Sequence, residues 1–150
     1  MKVTWIVLAD SARARIFTLS EPGTKLRERV DLSHPQSRVH DRDLTTDLPG
    51  RAFDSHGQGR HAMEQRHDPK EHEAQIFAAN VARELERARS DEPFDSLVLV
   101  APPKFLGLLR AQLDKGTHEL VIAEIHKNLV QSDVKTLERR LPTLVREARG

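Results

Sequence analysis

Cysteine is absent from this 150-residue chain, and its absence excludes a disulfide framework, a Cys-based zinc site and a thiol nucleophile. A cysteine-free sequence fits a reducing compartment. An excess of either charge is missing too: 24 Lys and Arg stand against 23 Asp and Glu, a formal charge of +1. No global field therefore draws the protein onto nucleic acid or an anionic membrane, and binding to either needs a local patch. No stretch approaches the ~20 apolar residues that span a bilayer. The short apolar run near the start ends at Asp10 with no small-residue cleavage site after it, which reads as a strand and not as a signal peptide. The expectation is a cytoplasmic protein without a membrane partner. Aromatics are scarce at 4%, and hydrophobic residues amount to 37%, on the low side for a globular protein. Some segment is expected to lie outside the core. The length suits one domain, residues 1–150.

What is present begins with Val3 to Ala9, nearly continuously apolar and rich in β-branched residues, the pattern of a strand covered on both faces. Asp10-Ser11 offers turn chemistry before a second strand over Ala12 to Leu19. Glu21-Pro22-Gly23 supplies the next turn. Leu26 to Leu32 then alternates, with Leu26, Glu28, Val30 and Leu32 opposite Arg27, Arg29 and Asp31. The first third is thus predicted to be a three-stranded antiparallel meander. From Pro35 to about Asp68 neither period is sustained, which predicts a long loop of the kind that is either functional or disordered. Asp68-Pro69-Lys70-Glu71 reads as an N-cap, a proline at the first helical position and a capping-box glutamate. Ala74, Phe77, Ala78, Val81, Leu85 and Ala88 fall on one helical stripe, continuing to about Arg89.

Asp95 to Ala101 reads as a buried strand. A helix over about Lys104 to Leu113 opens on Pro102-Pro103 and is expected to end at Gly116. Leu120 to Ile125 suggests a fifth strand, and Ser132 or Asp133 can cap a last helix in which Pro142 predicts a kink or break. The order βββαβαβα implies an α/β fold, a mixed five-stranded sheet with helices packed against it.

The long loop holds the chemistry-bearing residues. His40, His56, His61 and His67, with His72 beside them, are the strongest compositional oddity, since imidazole binds metals and titrates near neutrality. Their spacing matches no compact ligand motif, and a solvated polar loop explains them as well. Arg51, Arg60, Arg66 and Lys70 can meet phosphates, with Phe53 available for stacking. Residues 35 to 72 carry six Lys and Arg against seven Asp and Glu, so the surviving version is a shaped contact to structured RNA. Lys104, at the strand-to-helix junction, marks a weak anion site because Pro102 and Pro103 remove donors from the first turn. Asp10 reads as turn material, Glu71 as a cap and Trp5 as core. Eight histidines make any Ser-His-Asp trio unremarkable, so no catalytic residue and no metal ligand is assigned.

Four stretches, WIVLADSARARIF, GRAFDSHGQGRHAMEQRHDPKEHEAQIFAANVARELE, LVLVAPPKFLGLLRAQL and VIAEIHKNLVQSDVKTLERRL, resemble the host-attachment protein family over nearly the whole chain. That family is similar in layout to the middle domain of archaeal and eukaryotic peptide-chain release factors and Pelota. In those factors the long loop carries a Gly-Gly-Gln tripeptide. Here the stretch reads His56-Gly57-Gln58-Gly59-Arg60, so the tripeptide is absent and only a single-glycine variant remains.

The leading expectation is a non-enzymatic binding protein, without a cofactor, that uses Arg51, Phe53, Gln58, Arg60, His61 and Arg66 as contact residues. Its partner is RNA or the ribosome, another protein, or a second copy in a homodimer. The resemblance also leaves open a translation-factor-like hydrolase acting on an RNA ester or phosphate through Gln58, Arg60 and His61, and the loop histidines leave open metal binding.

Overall fold

The computed structural model describes residues 2–20, 25–34 and 69–149. Strands β1 (Val3–Ala9), β2 (Arg13–Ser20) and β3 (Leu26–Ser33) form the expected antiparallel meander. Helix α1 (Pro69–Asp91) delivers β4 (Ser96–Val100), followed by α2 (Pro103–Gln112), a four-residue α3 (Lys115–His118), β5 (Val121–Ile125) and α4 (Val134–Arg149). β1 lies in the middle of the order β3-β2-β1-β4-β5, with β4 and β5 parallel to it. The mixed five-stranded sheet read from the sequence is therefore the one observed. The turn at 21–23 and the capping residue Asp68 lie outside the described residues.

The two faces of β1 feed two hydrophobic clusters. Trp5, Val7 and Ala9 join Leu97 and Leu99 beneath α1 and α2, while Ile6 and Leu8 join Val98 and Val100 beneath α4. Because both faces are covered, the strand needs apolar residues at successive positions, which is why its sequence does not alternate. α1 meets the sheet through Ala74, Phe77, Ala78, Val81 and Leu85, all buried. Trp5 sits in the core as expected and stacks on Phe94 at 5.1 Å between ring centroids.

Three local expectations are corrected. Leu26, Glu28, Val30 and Leu32 do not share one face: Ile16 pairs with Val30 but Phe17 pairs with Glu28, so Arg29 is an extra residue, a β-bulge. Leu26 accordingly packs with the α4 cluster, and Val30 and Leu32 with the α1 cluster. Gly116 does not end α2. That helix stops at Leu113, which is extended, and Asp114 caps α3 by accepting from the Thr117 N–H at 2.8 Å. Gly116 instead leaves room for the Arg89 guanidinium, which lies 2.8 Å from where a Cβ would stand and donates to Thr117 Oγ1. The break offered for Pro142 does not occur, since the proline lies inside α4, which runs from Val134 to Arg149. The proline is exposed, so water can serve the carbonyl that loses its N–H partner, while Leu137 and Leu141 hold the helix to the sheet.

Gly107 offers a simple test of the packing around α2. It is interior to the helix, and a Cβ built there meets nothing within 4 Å. Gly107→Ala is expected to stabilise the protein by about 0.5–1 kcal/mol, because alanine loses less backbone entropy on folding into a helix. Thermal denaturation should show a raised Tm; a lowered one contradicts the open space seen beside this residue.

Candidate functional site

β1, β4 and β5 run parallel, so all three deliver their carboxyl ends to one edge of the sheet, the usual ligand edge of α/β folds. A cleft of about 550 Å³ opens there. Asp10, Ser11 and Ala12 border it from the end of β1, Lys70 and Glu71 from the first turn of α1, Lys104 and Phe105 from the first turn of α2, and Asn128 from the segment after β5. Two helix N-termini thus flank one opening, and the partial positive charge of each favours an anion beside the two lysines. α2 has no side-chain cap: Pro102 precedes it in an extended conformation.

Asp10 is committed to the turn. Its Oδ1 accepts from the N–H groups of Ala12 and Arg13, both at 2.9 Å, and its backbone N–H donates to the Arg13 carbonyl. Oδ2 faces Asn128, whose Nδ2 lies at 3.4 Å. The segment carrying Asn128 is clamped in turn by Arg15 on β2. Arg15 Nη1 donates to the carbonyls of Val130 at 2.9 Å and Ser132 at 2.7 Å, while Nε and Nη2 pair with Glu28 at 3.0 Å. Further along, Asp133 caps α4 by accepting from the Thr136 N–H. Hydrogen bonding from Thr136, with Arg139 and Lys135 nearby, holds its carboxyl below the usual range.

The flanks of the long segment meet the same edge. His34, the last described residue before it, donates its backbone N–H to the Ala12 carbonyl at 2.8 Å, and its Nε2 lies 2.7 Å from Glu73 Oε1 on α1. The imidazole also stacks on Phe77 at 5.3 Å. On the far side, α1 begins at Pro69, next to Lys70 of the cleft.

Of the residues singled out from the sequence, Lys104 is placed, at the cleft; Asp10, Glu71 and Lys70 join it there. His72 is exposed on α1. Arg51, Phe53, Gln58, Arg60, His61 and Arg66 lie outside the described residues, as do His40, His56 and His67. Among the described residues there is no group of three His, Cys, Asp or Glu able to hold a metal ion, and no helix long and apolar enough to cross a membrane. Sequence reasoning missed Arg15, His34, Glu73 and Asn128. A signal for Arg15 did exist: an arginine set between Ala14 and the apolar pair Ile16-Phe17 must find partners if it points inward.

Residues 5–141 match the family model described as "Protein required for attachment to host cells". The chain belongs to that family. A similar sequence is an uncharacterized protein of Rickettsia prowazekii (strain Madrid E), 35% identical over 72 residues, which make up 47% of this chain and 48% of that protein. The match thus covers about half the length of that curated relative. Among solved structures, one described as an archaeal protein aligns over 98% of the chain and 36% of its own length, with a TM-score of 0.53 and 11% identity. The archaeal translation termination factor aRF1 aligns over 97% of the chain and 39% of its own length, with a TM-score of 0.44 and 13% identity. At 11% identity the first of these likenesses concerns the fold alone. The host-attachment family name states a trait and leaves the chemistry to be argued from the site.

Proposed function

We propose that this member of the host-attachment family is a cytoplasmic, non-enzymatic binding protein that acts as one unit and contacts structured RNA, the ribosome included, at the carboxyl edge of its sheet. The observation that supports the reading is the cleft itself: Lys70 and Lys104 stand on the first turns of two helices that flank one opening. The flanks of segment 35–68 meet the same edge through His34 and Pro69. That segment brings Arg51, Arg60 and Arg66 as phosphate contacts, Phe53 for stacking, and Gln58 and His61 as hydrogen-bonding groups. Asp10 at the cleft is accounted for by the turn, since its Oδ1 accepts two backbone N–H groups. The attachment trait then follows indirectly, through an effect on RNA.

Co-sedimentation with ribosomes in low salt tests the idea. The wild-type chain is expected in the pellet, with Arg60→Ala and Lys104→Glu each reducing the bound fraction. Lys104→Glu should also lower the salt slope of RNA binding by about 1, as loss of a phosphate contact does. Absence of the wild-type protein from the pellet at low salt sinks the reading.

A further inference from the structure

Near-neutrality of the whole chain hides an uneven placement of its cations. Arg13, Arg15, Arg29, Arg87, Arg89 and Arg110 each pair with a carboxylate. The five basic residues of α4 do not: among the described residues no ion pair forms at Arg140 or, well around the helix from it, at Lys135, Arg139, Arg146 and Arg149, and these last four are exposed. They follow one another at offsets of 4, 7 and 3 along the helix, which at ~100° per residue keeps them within about 40° of a single line. The stripe is about 21 Å long at ~1.5 Å per residue.

Two hydroxyls orient the stripe without neutralising it. Arg139 Nη2 donates to Thr136 Oγ1 at 3.3 Å and Arg146 Nη2 to Thr143 Oγ1 at 3.4 Å. The acids of the helix are engaged or placed elsewhere: Glu138 accepts from the Leu26 N–H at 2.8 Å, and Glu147 falls about 100° around the helix from Arg146. Asp133 is held at the helix start as its cap.

We propose that this outer face of α4 is a second nucleic-acid contact, which takes the phosphodiester backbone of double-helical RNA without reading its sequence. The proposal rests on the reading of the protein as an RNA binder but not on the cleft. Three properties select the partner. Arginine suits phosphate through its planar pair of donors. A helix that lies on a membrane must insert its apolar face, and here that face is spent on the sheet through Leu137 and Leu141. Proteins that hold single strands supply aromatic side chains for stacking, and α4 contains none. What remains is a rigid line of cations that fits a rigid line of phosphates.

The test compares the wild-type chain with a variant carrying Lys135→Gln, Arg139→Gln, Arg146→Gln and Arg149→Gln together. Glutamine keeps nearly the same helix propensity, and circular dichroism confirms that α4 is retained. Binding is read by fluorescence anisotropy on a short RNA duplex over a salt series, with Lys104→Glu and Arg60→Ala as companions. The quadruple variant is expected to lose at least roughly tenfold in affinity at low salt and to show a salt slope shallower by about 3–4, since each phosphate contact that forms releases ~0.9 counterion and four are removed. Wild-type affinity in the quadruple variant overturns the proposal; if Lys104→Glu or Arg60→Ala still weakens binding, the cleft reading stands without it. Loss in the quadruple variant alone supports the stripe and counts against the cleft. No duplex binding by the wild-type chain removes both. Preferential binding of the wild-type chain to phosphatidylserine vesicles, lost in the quadruple variant, also overturns the proposal in favour of a lipid surface.

Discussion

Arg15→Ala is expected to lower the unfolding free energy by about 3 kcal/mol, the cost of breaking a buried ion pair from one side. The side chain is 9% exposed and donates four hydrogen bonds, two to the Glu28 carboxylate and two to the Val130 and Ser132 carbonyls. The guanidinium also lies 5.0 Å from the centroid of the Phe17 ring. Removing it leaves both carbonyls without their donor, whereas Glu28, 30% exposed, can turn to water. That asymmetry places the effect at the lower end of the usual ~3–5 kcal/mol for buried pairs. A fall of roughly 6–12 °C in Tm follows for a chain of this size.

Arg13 on the same strand provides the internal comparison. Its two bonds to Asp31 hold that carboxyl below the usual range, yet both side chains are at least one-third exposed. Arg13→Ala is therefore expected to cost only ~0.2–1 kcal/mol. The Asp31 part of that stability is present above its ordinary pKa and disappears as acid protonates it below the carboxylate range. The second readout for Arg15→Ala is amide exchange: faster exchange at Val130 should mark a loosened clamp on the segment that carries Asn128. Equal losses for the Arg13 and Arg15 variants would contradict this account.

Phe77→Ala carries a comparable penalty, about 3–5 kcal/mol, from lost burial and the cavity left behind. Phe77 is 1% exposed, touches Phe105 of α2 at 6.0 Å between centroids and backs the His34 ring. The substitution thus removes both the seam between the two cleft-flanking helices and the support of the contact to Glu73. Leu137→Ala, under α4 on the opposite face, should destabilise by ~2–5 kcal/mol while leaving the cleft's walls in place. At a temperature where both variants remain folded, the part of RNA binding that Lys104→Glu removes should fall for Phe77→Ala more than for Leu137→Ala. A chemical-denaturation loss below about 2 kcal/mol for Phe77→Ala, small for a buried phenylalanine, would mean that the seam is not packed as described.

How far the fold was legible depended on whether the determining contacts were local. β1 and β4 could be read because strands covered on both faces show uninterrupted apolar runs, and α1 because its buried stripe repeats at helical spacing. The bulge at Arg29 could not, since an extra residue leaves the alternation of the strand's own sequence intact and shows only in its pairing. α3 was hidden for a similar reason: Gly116 looks like a stop, and its packing role depends on Arg89 arriving from α1. At the site, Lys104 was legible as a strand-to-helix junction. Asn128 was not, and Arg15 signalled only that it needed partners, because Asp10 and Val130, to which they bond, lie more than a hundred positions away. The α4 stripe was present in the sequence all along as the complement of the apolar stripe that located the helix.

The position of β1 has a consequence for synthesis. Its antiparallel partner β2 follows after a three-residue turn, but its parallel partner begins at Ser96, paired with Thr4 across 92 positions. As the chain emerges, the meander can form long before β4 exists, so β1 must wait with one hydrogen-bonding edge bare and its apolar faces uncovered. Such late, long-range parallel pairing slows folding. The nascent protein is most exposed to aggregation in the interval between completing β3 and completing β4.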